Sequence, residues 1–231
     1  MVLERYRARF RPQIERLSRP FLRWRPNTLS VLALALALVA AALAAAVRWT
    51  TPLLFLGVSA LVLLTGFFDI VDGEVARSTG RASVKGDFLD HLFDRYADLA
   101  LVLGVAASGF ANPVLALLAL ASLLLTSYVG TQAQAVGEGR LYAGLLSRAD
   151  RLVVLAFAAF LEFDWSLPWP WAPTEPWARF HFAGVSFTVL DVAFAYFVVA
   201  GQWTAIARAR RVHRALSARE DRDDPPPSRP G

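Results

Sequence analysis

Six long apolar runs dominate the sequence and restrict the folds that the chain can adopt. They lie at about 28–48, 52–76, 86–109, 113–136, 150–166 and 183–206, and most approach the length of roughly 20 residues that a helix needs to cross a bilayer. Hydrophobic residues make up 56% of the chain, and the mean hydropathy is +0.43. The sequence therefore predicts an all-α integral membrane protein with six transmembrane helices, and it is too apolar for a soluble nucleic-acid-binding domain.

Positive charge is distributed unevenly along the chain and predicts its orientation. The formal charge of +5 comes from arginine, since Lys85 is the only lysine. The basic residues cluster near positions 5–25, 77–85, 140–151 and 208–222. The alternate loops hold little positive charge beyond Arg48 and Arg179. By the positive-inside rule, we expect a multi-pass protein of the cell membrane with both termini and the loop after the second run in the cytoplasm.

The segments outside the apolar runs suggest three regions. Apolar side chains recur every three or four positions within the arginine-rich residues 1–26, which predicts an amphipathic juxtamembrane helix on the membrane surface. A cleaved signal peptide is the alternative, but the basic region is too long for one. Residues 27–212 form the predicted membrane domain, and the charged, proline-rich residues 213–231 are expected to be a disordered tail. The tryptophan-rich segment 165–177 is expected to anchor an outer loop at the membrane interface.

Four aspartates lie in and beside the second and third apolar runs, where charge is costly and usually functional. The segments read DIVDGEVAR from Asp69 and GDFLDHLFD from Gly86, and the second contains Asp90 and Asp94. Spacings of three and four residues place Asp69 with Asp72, and Asp90 with Asp94, on single helix faces. Facing carboxylates in a dry site repel unless a cation lies between them. The chain has no cysteine, so oxygen ligands indicate Mg²⁺, Mn²⁺ or Ca²⁺.

These two segments together resemble the signature DxxDGxxARx8GxxxDxxxD of the CDP-alcohol phosphotransferase family at every fixed position. The matching residues are Asp69, Asp72, Gly73, Ala76, Arg77, Gly86, Asp90 and Asp94. The surface helix, the six runs and the string PNTLS at the start of the first run are also similar to the family pattern, the string resembling its PNxxT/S element.

The resemblance implies a metal-dependent reaction on a CDP-linked lipid. It implies that Asp69, Asp72 and Asp90 hold Mg²⁺ or Mn²⁺ on the diphosphate, and that Asp94 shares the metal and acts as the general base. The acceptor hydroxyl then attacks the lipid-bearing phosphorus, and CMP leaves. Members are commonly homodimers, which makes a homodimer in contact with membrane lipids the expectation here.

The remaining signature residues, with Asn27, are candidates for nucleotide binding. Gly73, Ala76 and Gly86 leave bare helix surface for the nucleotide, much as small residues allow close approach between membrane helices. Arg77 could pair with a motif aspartate or bind a phosphate. Asn27 could cap the first transmembrane helix or lie near the nucleotide.

Three further residues lie beside the signature. Asp87 and Asp98 extend the aspartate stripe and are expected to support it. His91, one position after Asp90, is expected to point away from the metal.

The acceptor alcohol is less strongly indicated by the sequence. KGDFLDHLFDRYADL and LLSRADRL resemble segments of archaeal and actinobacterial inositol-phosphate lipid synthases, which makes Arg148 and Arg151 candidates for binding an acceptor phosphate. Ordinary positive loop charge is the alternative explanation. Those synthases tend to have a basic KARAEA-like stretch where this chain has GTQAQA at 130–135. Either the acceptor is uncharged or other arginines compensate, the candidates being Arg140, Arg208, Arg210 and Arg211.

The predicted function is transfer of a phosphatidyl or archaetidyl group to a hydroxyl acceptor. Inositol phosphate is the leading acceptor, and glycerol phosphate or a neutral alcohol such as serine is the alternative. Two non-enzymatic alternatives are a cation transporter that uses the intramembrane acids and a catalytically silent lipid-binding scaffold. Confinement of the acids to one membrane face argues against the transporter, and the presence of Asp94 argues against the scaffold.

Overall fold

Seven helices and one short β-ribbon make up the described part of the chain. The computed structural model describes residues 2–139, 145–165, 180–182 and 185–223. The elements in chain order are α1 (Val2–Ser18), α2 (Pro26–Ala46), α3 (Leu54–Ser78), α4 (Val84–Ala107), α5 (Pro113–Ala135), α6 (Arg148–Trp165), β1 (Phe180–Phe182), β2 (Val185–Phe187) and α7 (Val189–Asp223). The predicted helical membrane fold is thus confirmed. The one difference in the described residues is a short antiparallel ribbon that pairs Phe180 with Phe187.

Within the described part of the chain, four helices are long and apolar enough to cross a bilayer. They are α2 with the turn that follows it, α3, α5 and the first thirty-one residues of α7. Helices α4 and α6 correspond to the third and fifth predicted spans, but they carry more charge. Asp90, Asp94, Arg95 and Asp98 occupy one part of α4. In the described residues, four of the six predicted spans are therefore supported. That α4 and α6 also cross the membrane stays a prediction.

The helices pack around small and β-branched side chains. Helix α2 lies between α3 and α4, α5 packs on α7, and α6 contacts α3 and α7. Helices α4 and α2 approach closely at Gly104 and Ala41, where a Cβ on Gly104 would lie 2.6 Å from the Cα of Ala41. Only glycine permits that crossing, because any side chain would overlap the α2 backbone.

A glycine turn positions the two halves of the aspartate motif beside each other. Gly80 has φ 65°, and the Arg81 amide donates to the Ala76 carbonyl at 3.0 Å, which is the Schellman arrangement that ends a helix. Ser83 then caps α4, since its Oγ accepts a 3.1 Å hydrogen bond from the Gly86 amide. The short turn reverses the chain, so that side chains from the end of α3 and the start of α4 can converge.

The start of α7 corrects the predicted sixth span. That span was predicted to begin at 183, but residues 185–187 form β2 and the helix begins at Val189. Thr188 and Asp191 form a reciprocal capping box, with both hydrogen bonds at 3.1 Å. Glu162 of α6 adds an acceptor for the Val189 amide at 3.1 Å. These acceptors bind backbone amides in the first turn of α7 that have no partner within the helix, and so they fix the start of the helix at 189.

The N-terminal segment is helical and folds back onto α3. Helix α1 is followed by a 3₁₀ turn at Arg19–Phe21, and the Phe21 ring packs edge-on against Phe68 with centroids 5.6 Å apart. The membrane-surface position of α1 stays a prediction. The alternative that Asn27 caps the first span is wrong. Pro26 occupies the first helical position and Arg25 the N-cap, and Arg25 makes no side-chain cap bond because a guanidinium has no hydrogen-bond acceptor.

The C-terminal boundary of the membrane domain also differs from the prediction. Helix α7 continues to Asp223, so the prediction of a disordered tail from 213 is wrong for residues 213–223. Arg219 forms a 2.6 Å ion pair with Glu138, which holds this extension near the end of α5. Residues 224–231 lie outside the described residues, as does the tryptophan-rich segment apart from Trp165.

Candidate active site

Three motif carboxylates, from the end of α3 and the start of α4, converge on one point. One oxygen from each of Asp69, Asp72 and Asp90 lies within 4.8 Å of the other two. Asp72 is 5% exposed, while Asp69 and Asp90 are half-buried. This all-carboxylate donor set fits Mg²⁺ or Mn²⁺, both of which prefer oxygen ligands. The structure thus brings together three of the four aspartates that the family resemblance assigned to the metal.

Asp94 belongs to a second cluster of possible metal ligands, and Asp90 is a member of both clusters. Ligand atoms of Asp90, His91 and Asp94 lie within 4.8 Å of one another, and His91 Nδ1 is 3.9 Å from Asp90 Oδ2. The expectation that His91 points away from these acids is wrong, because its half-exposed side chain folds back toward Asp90. Asp94 is close enough to Asp90 to share a cation with it.

Ser30 of α2, which the sequence did not single out, contacts one of the three candidate metal-binding carboxylates. Its Oγ donates to Asp72 Oδ2 at 2.6 Å, and both side chains are buried. A hydrogen bond from a hydroxyl to a buried carboxylate fixes the direction of its remaining oxygen. Ser30 is the last residue of the string PNTLS, so its position in that string was the signal that could have identified it.

Arg148, the first residue of α6, contacts both halves of the motif. Its Nη1 pairs with Asp69 and lies 2.6 Å from Asp94 Oδ1. The side chain is largely buried. A single guanidinium thus joins α3, α4 and α6 and places positive charge beside the candidate metal-binding carboxylates.

Arg151 lies one helical turn farther from the motif than Arg148. It pairs with Asp98 at 2.7 Å, and both side chains are buried. Arg95 joins the same network, at 3.3 Å from Asp98 and 3.8 Å from Asp94. Asp98 therefore has the supporting position that was expected of it, and Arg151 contacts Asp98 rather than a motif aspartate.

The nucleotide candidates occupy the same end of the bundle. Arg77 pairs with Glu74 at 3.0 Å rather than with a motif aspartate, and a Cβ on Gly73 would lie 3.3 Å from the Arg77 guanidinium. Glu74 is buried and was not singled out from the sequence. Ala76 is half-buried on the same helix.

Asn27 and Gly86 face each other across the start of α2 and α4. A Cβ on Gly86 would lie 3.5 Å from Asn27 Oδ1 and 3.2 Å from Ser83 Oγ. The absence of a side chain at 86 therefore keeps this gap open beside the motif. Asp87, in the first turn of α4, is exposed.

A buried arginine of α7 lies against the GTQAQA segment at the end of α5. Arg208 of α7 is buried, donates to the Thr126 carbonyl at 2.9 Å, and would lie 3.1 Å from a Cβ on Gly130. One of the arginines that could compensate for the missing basic stretch thus lies directly against it. Arg210 and Arg211 are exposed, and Arg140 lies outside the described residues.

The chain is similar to known proteins over most of its length. A family model described as CDP-alcohol phosphatidyltransferase matches residues 23–189. A phosphatidylinositol phosphate synthase of Cutibacterium acnes is 34% identical over 68% of this chain and 73% of its own length. An archaetidylinositol phosphate synthase of Methanothermobacter thermautotrophicus is 36% identical over 46% of this chain. The chain spans just over half the length of two archaeal relatives that it matches, 56% and 55%.

Solved structures share the fold. A crystal structure of Mycobacterium tuberculosis phosphatidylinositol phosphate synthase in complex with manganese and citrate superposes with a TM-score of 0.65 at 23% identity, covering 87% of this chain and 88% of that one. A second structure of that enzyme, with CDP-DAG bound, gives a TM-score of 0.64 at 22% identity and covers 86% of this chain and 92% of that one. At this identity the likeness establishes the membrane fold.

Proposed function

The chain belongs to the CDP-alcohol phosphatidyltransferase family, and from this membership we propose that it transfers a phosphatidyl or archaetidyl group from a CDP-linked lipid to a hydroxyl acceptor, with release of CMP. The observation that carries the proposal is the convergence of Asp69, Asp72 and Asp90, with Asp94 adjoining them through Asp90. These are the acidic positions of the family signature. The reaction belongs to phospholipid biosynthesis.

The four aspartates would hold Mg²⁺ or Mn²⁺ in this reaction. A divalent cation bound there supplies charge neutralisation to the diphosphate and makes CMP a better leaving group. Ser30 fixes Asp72 from α2 through its hydrogen bond. Gly73, Ala76 and Gly86 leave bare helix surface beside the acids, on which the nucleotide would lie, with Arg77 and Asn27 at its edges.

Asp94 is the proposed general base. It lies on α4 one turn beyond Asp90 and pairs with Arg148 at 2.6 Å. A base here takes the proton of the acceptor hydroxyl, which attacks the lipid-bearing phosphorus while the bond to CMP breaks. Arg148 would orient the acceptor by donating hydrogen bonds from other guanidinium N–H groups to an acceptor phosphate.

Inositol phosphate is the proposed acceptor, with glycerol phosphate and serine as alternatives. Relatives named for inositol phosphate lipids support this choice. The buried Arg208, next to Gly130, supplies positive charge that the GTQAQA segment lacks. Arg151 would act indirectly, since its pairing with Asp98 holds the start of α6 and thereby Arg148.

The proposed setting is the cell membrane. We place all six spans in the bilayer, with both termini, the aspartate cluster and α1 on the cytoplasmic side, because positive charge concentrates there. Residues 27–212 form the catalytic membrane domain, preceded by the surface helix within 1–26. A homodimer is the proposed assembly.

CMP release by the purified protein tests the proposal. The protein is incubated in detergent with Mg²⁺ and a CDP-lipid, against inositol phosphate, glycerol phosphate, serine and inositol in turn. We expect CMP release that requires inositol phosphate and stops on chelation of the metal. If CMP is released only with glycerol phosphate or only with serine, that compound is the acceptor instead of inositol phosphate. Metal-dependent CDP-lipid binding without release would indicate a scaffold, and the absence of both binding and release would contradict the proposed function.

A further inference from the structure

A basic cavity lies beside the aspartate cluster, where the start of α2 meets the turn between α3 and α4. Its volume is about 790 Å³. Three arginines line it, two before α2 and one after α3, namely Arg23, Arg25 and Arg81. Asn27 and Ser83 lie on the side toward Gly86. None of the motif aspartates lines the cavity.

The positive charge of this cavity is not neutralised by ion pairs in the described part of the chain. The salt bridges found among residues 10–139 leave out all three arginines. Arg81 Nη1 donates to the Trp24 carbonyl at 3.3 Å, which ties the α3–α4 turn to the segment before α2. The three arginines are exposed and line one open space, and Arg81 is fixed there by this hydrogen bond.

The N-terminus of α2 adds to this potential. The helix is 21 residues long, its first turn has no acidic residue, and Arg25 at the N-cap makes no side-chain cap bond. The positive end of the helix dipole therefore faces the cavity together with the guanidinium groups. The combination favours an anion with several oxygen acceptors, such as a phosphate.

The cavity also has an apolar side. Val31, which lines it, is 51% exposed. Ala35, Leu38 and Ala42 continue the exposed stripe along the same face of α2. Since α2 is long and apolar enough to cross the bilayer, this stripe would face lipid chains. The space is therefore suited to an amphiphile with an anionic head and an apolar tail.

We propose that this cavity binds the headgroup phosphate of an anionic membrane phospholipid, with one acyl chain along Val31 and Leu38. Arg23 and Arg25 contact the phosphate directly, and Arg81 holds the mouth of the site through Trp24. The apolar exit selects a membrane lipid over a free phosphate. The cavity adjoins the proposed donor site at Asn27, but none of the motif acids lines it, and the proposal does not depend on the proposed function.

Lipid association in nanodiscs tests the proposal. The protein is reconstituted in phosphatidylcholine nanodiscs with spin-labelled phosphatidylglycerol, and the motionally restricted fraction gives its association relative to spin-labelled phosphatidylcholine. We expect wild type to prefer phosphatidylglycerol and Arg23→Gln/Arg25→Gln to lower that preference about tenfold. The matched control is Arg16→Gln/Arg19→Gln, which removes two exposed arginines of the same segment outside the cavity. Because these arginines lie in the segment proposed to rest on the membrane surface, this variant should lose part of the preference, but clearly less than the cavity variant.

Three outcomes would overturn the proposal. The first is equal association of both lipids with wild type, or equal losses in the two double variants. The second is displacement of the labelled lipid by millimolar inorganic phosphate, which would identify a free phosphate as the ligand. The third is loss of CDP-lipid binding by Arg23→Gln/Arg25→Gln in nanodiscs of phosphatidylcholine alone, which would assign the cavity to the donor site. Unchanged thermal unfolding of the variants shows that any loss is local.

Discussion

The Ser30 hydroxyl donates a 2.6 Å hydrogen bond to Oδ2 of Asp72, which connects α2 to the first half of the aspartate motif. Both groups are buried, so the bond is shielded from water. The bond therefore holds the Asp72 carboxylate in place beside Asp69 and Asp90. A residue outside the signature thus positions one of the proposed ligands.

Replacement of Ser30 by alanine should weaken metal binding without preventing folding. The variant loses a hydrogen bond to a charged group, a contribution of about 1.5–3 kcal/mol, so we expect Mn²⁺ affinity to fall roughly tenfold to a hundredfold. Mn²⁺ titration followed by electron paramagnetic resonance measures the change. Ser30→Thr, which keeps the hydroxyl, is the control and should retain most of the affinity. Equal affinities in Ser30→Ala and wild type would contradict the positioning role.

The sequence predicted this site well because the motif is local. Asp69 with Asp72, and Asp90 with Asp94, each need only helical spacing to share a face, and the turn at Gly80 joins them. The partners that lie far along the chain were less accessible. Ser30 precedes Asp72 by 42 positions, and Arg148 follows Asp69 by 79. Such contacts depend on how the helices pack, which periodicity does not determine.

The boundaries that were predicted wrongly depend on side-chain capping and charge. Hydropathy placed the sixth span at 183, whereas the capping box of Thr188 and Asp191 starts the helix at 189. Polar composition suggested disorder from 213, yet arginine and glutamate are good helix formers, and α7 continues to Asp223. Apolar runs therefore located the helices, while polar contacts determined where they begin and end.

Asp94→Asn and Asp69→Asn should separate chemistry from binding. The amide at 94 cannot take the acceptor proton, so we expect kcat to fall by about 10²–10⁴ while CDP-lipid affinity changes little. At 69 the change removes a proposed metal ligand, and the metal-dependent binding of the CDP-lipid itself should weaken. CMP release and equilibrium binding of a labelled CDP-lipid measure the two effects. Normal turnover of Asp94→Asn would exclude it as the base.

Arg148→Gln should affect the acceptor more than the donor. The guanidinium contacts Asp69 and Asp94 and is proposed to bind the acceptor phosphate, so its removal should raise the KM for inositol phosphate by about tenfold or more. Initial rates of CMP release at varied acceptor and saturating CDP-lipid give this value. Arg210→Gln, which removes an exposed arginine of α7, is the comparison. An unchanged acceptor KM would show that Arg148 only pairs with the acids.

Arg151→Gln should destabilise the protein, because it leaves Asp98 buried with a weaker set of partners. Removal of one member of a buried ion pair costs about 3–5 kcal/mol, and Arg95 at 3.3 Å offsets part of that cost. We expect a lower thermal midpoint in detergent. The double change Arg151→Met/Asp98→Leu removes both charges and should recover much of the stability. If the single variant unfolds at the wild-type temperature, the pair has no structural role.

Gly104→Ala tests the tight crossing between α2 and α4. The added Cβ would lie 2.6 Å from the Cα of Ala41, so the helices must separate, which typically costs about 1–3 kcal/mol. Because α4 carries Asp90 and Asp94, we expect both a lower thermal midpoint and weaker Mn²⁺ binding. Gly57→Ala is the matched control, since its Cβ would meet Leu43 Cδ1 at an ordinary 3.6 Å. Equal stability of the two variants would mean that α2 and α4 can separate at no cost, contrary to the packing described above.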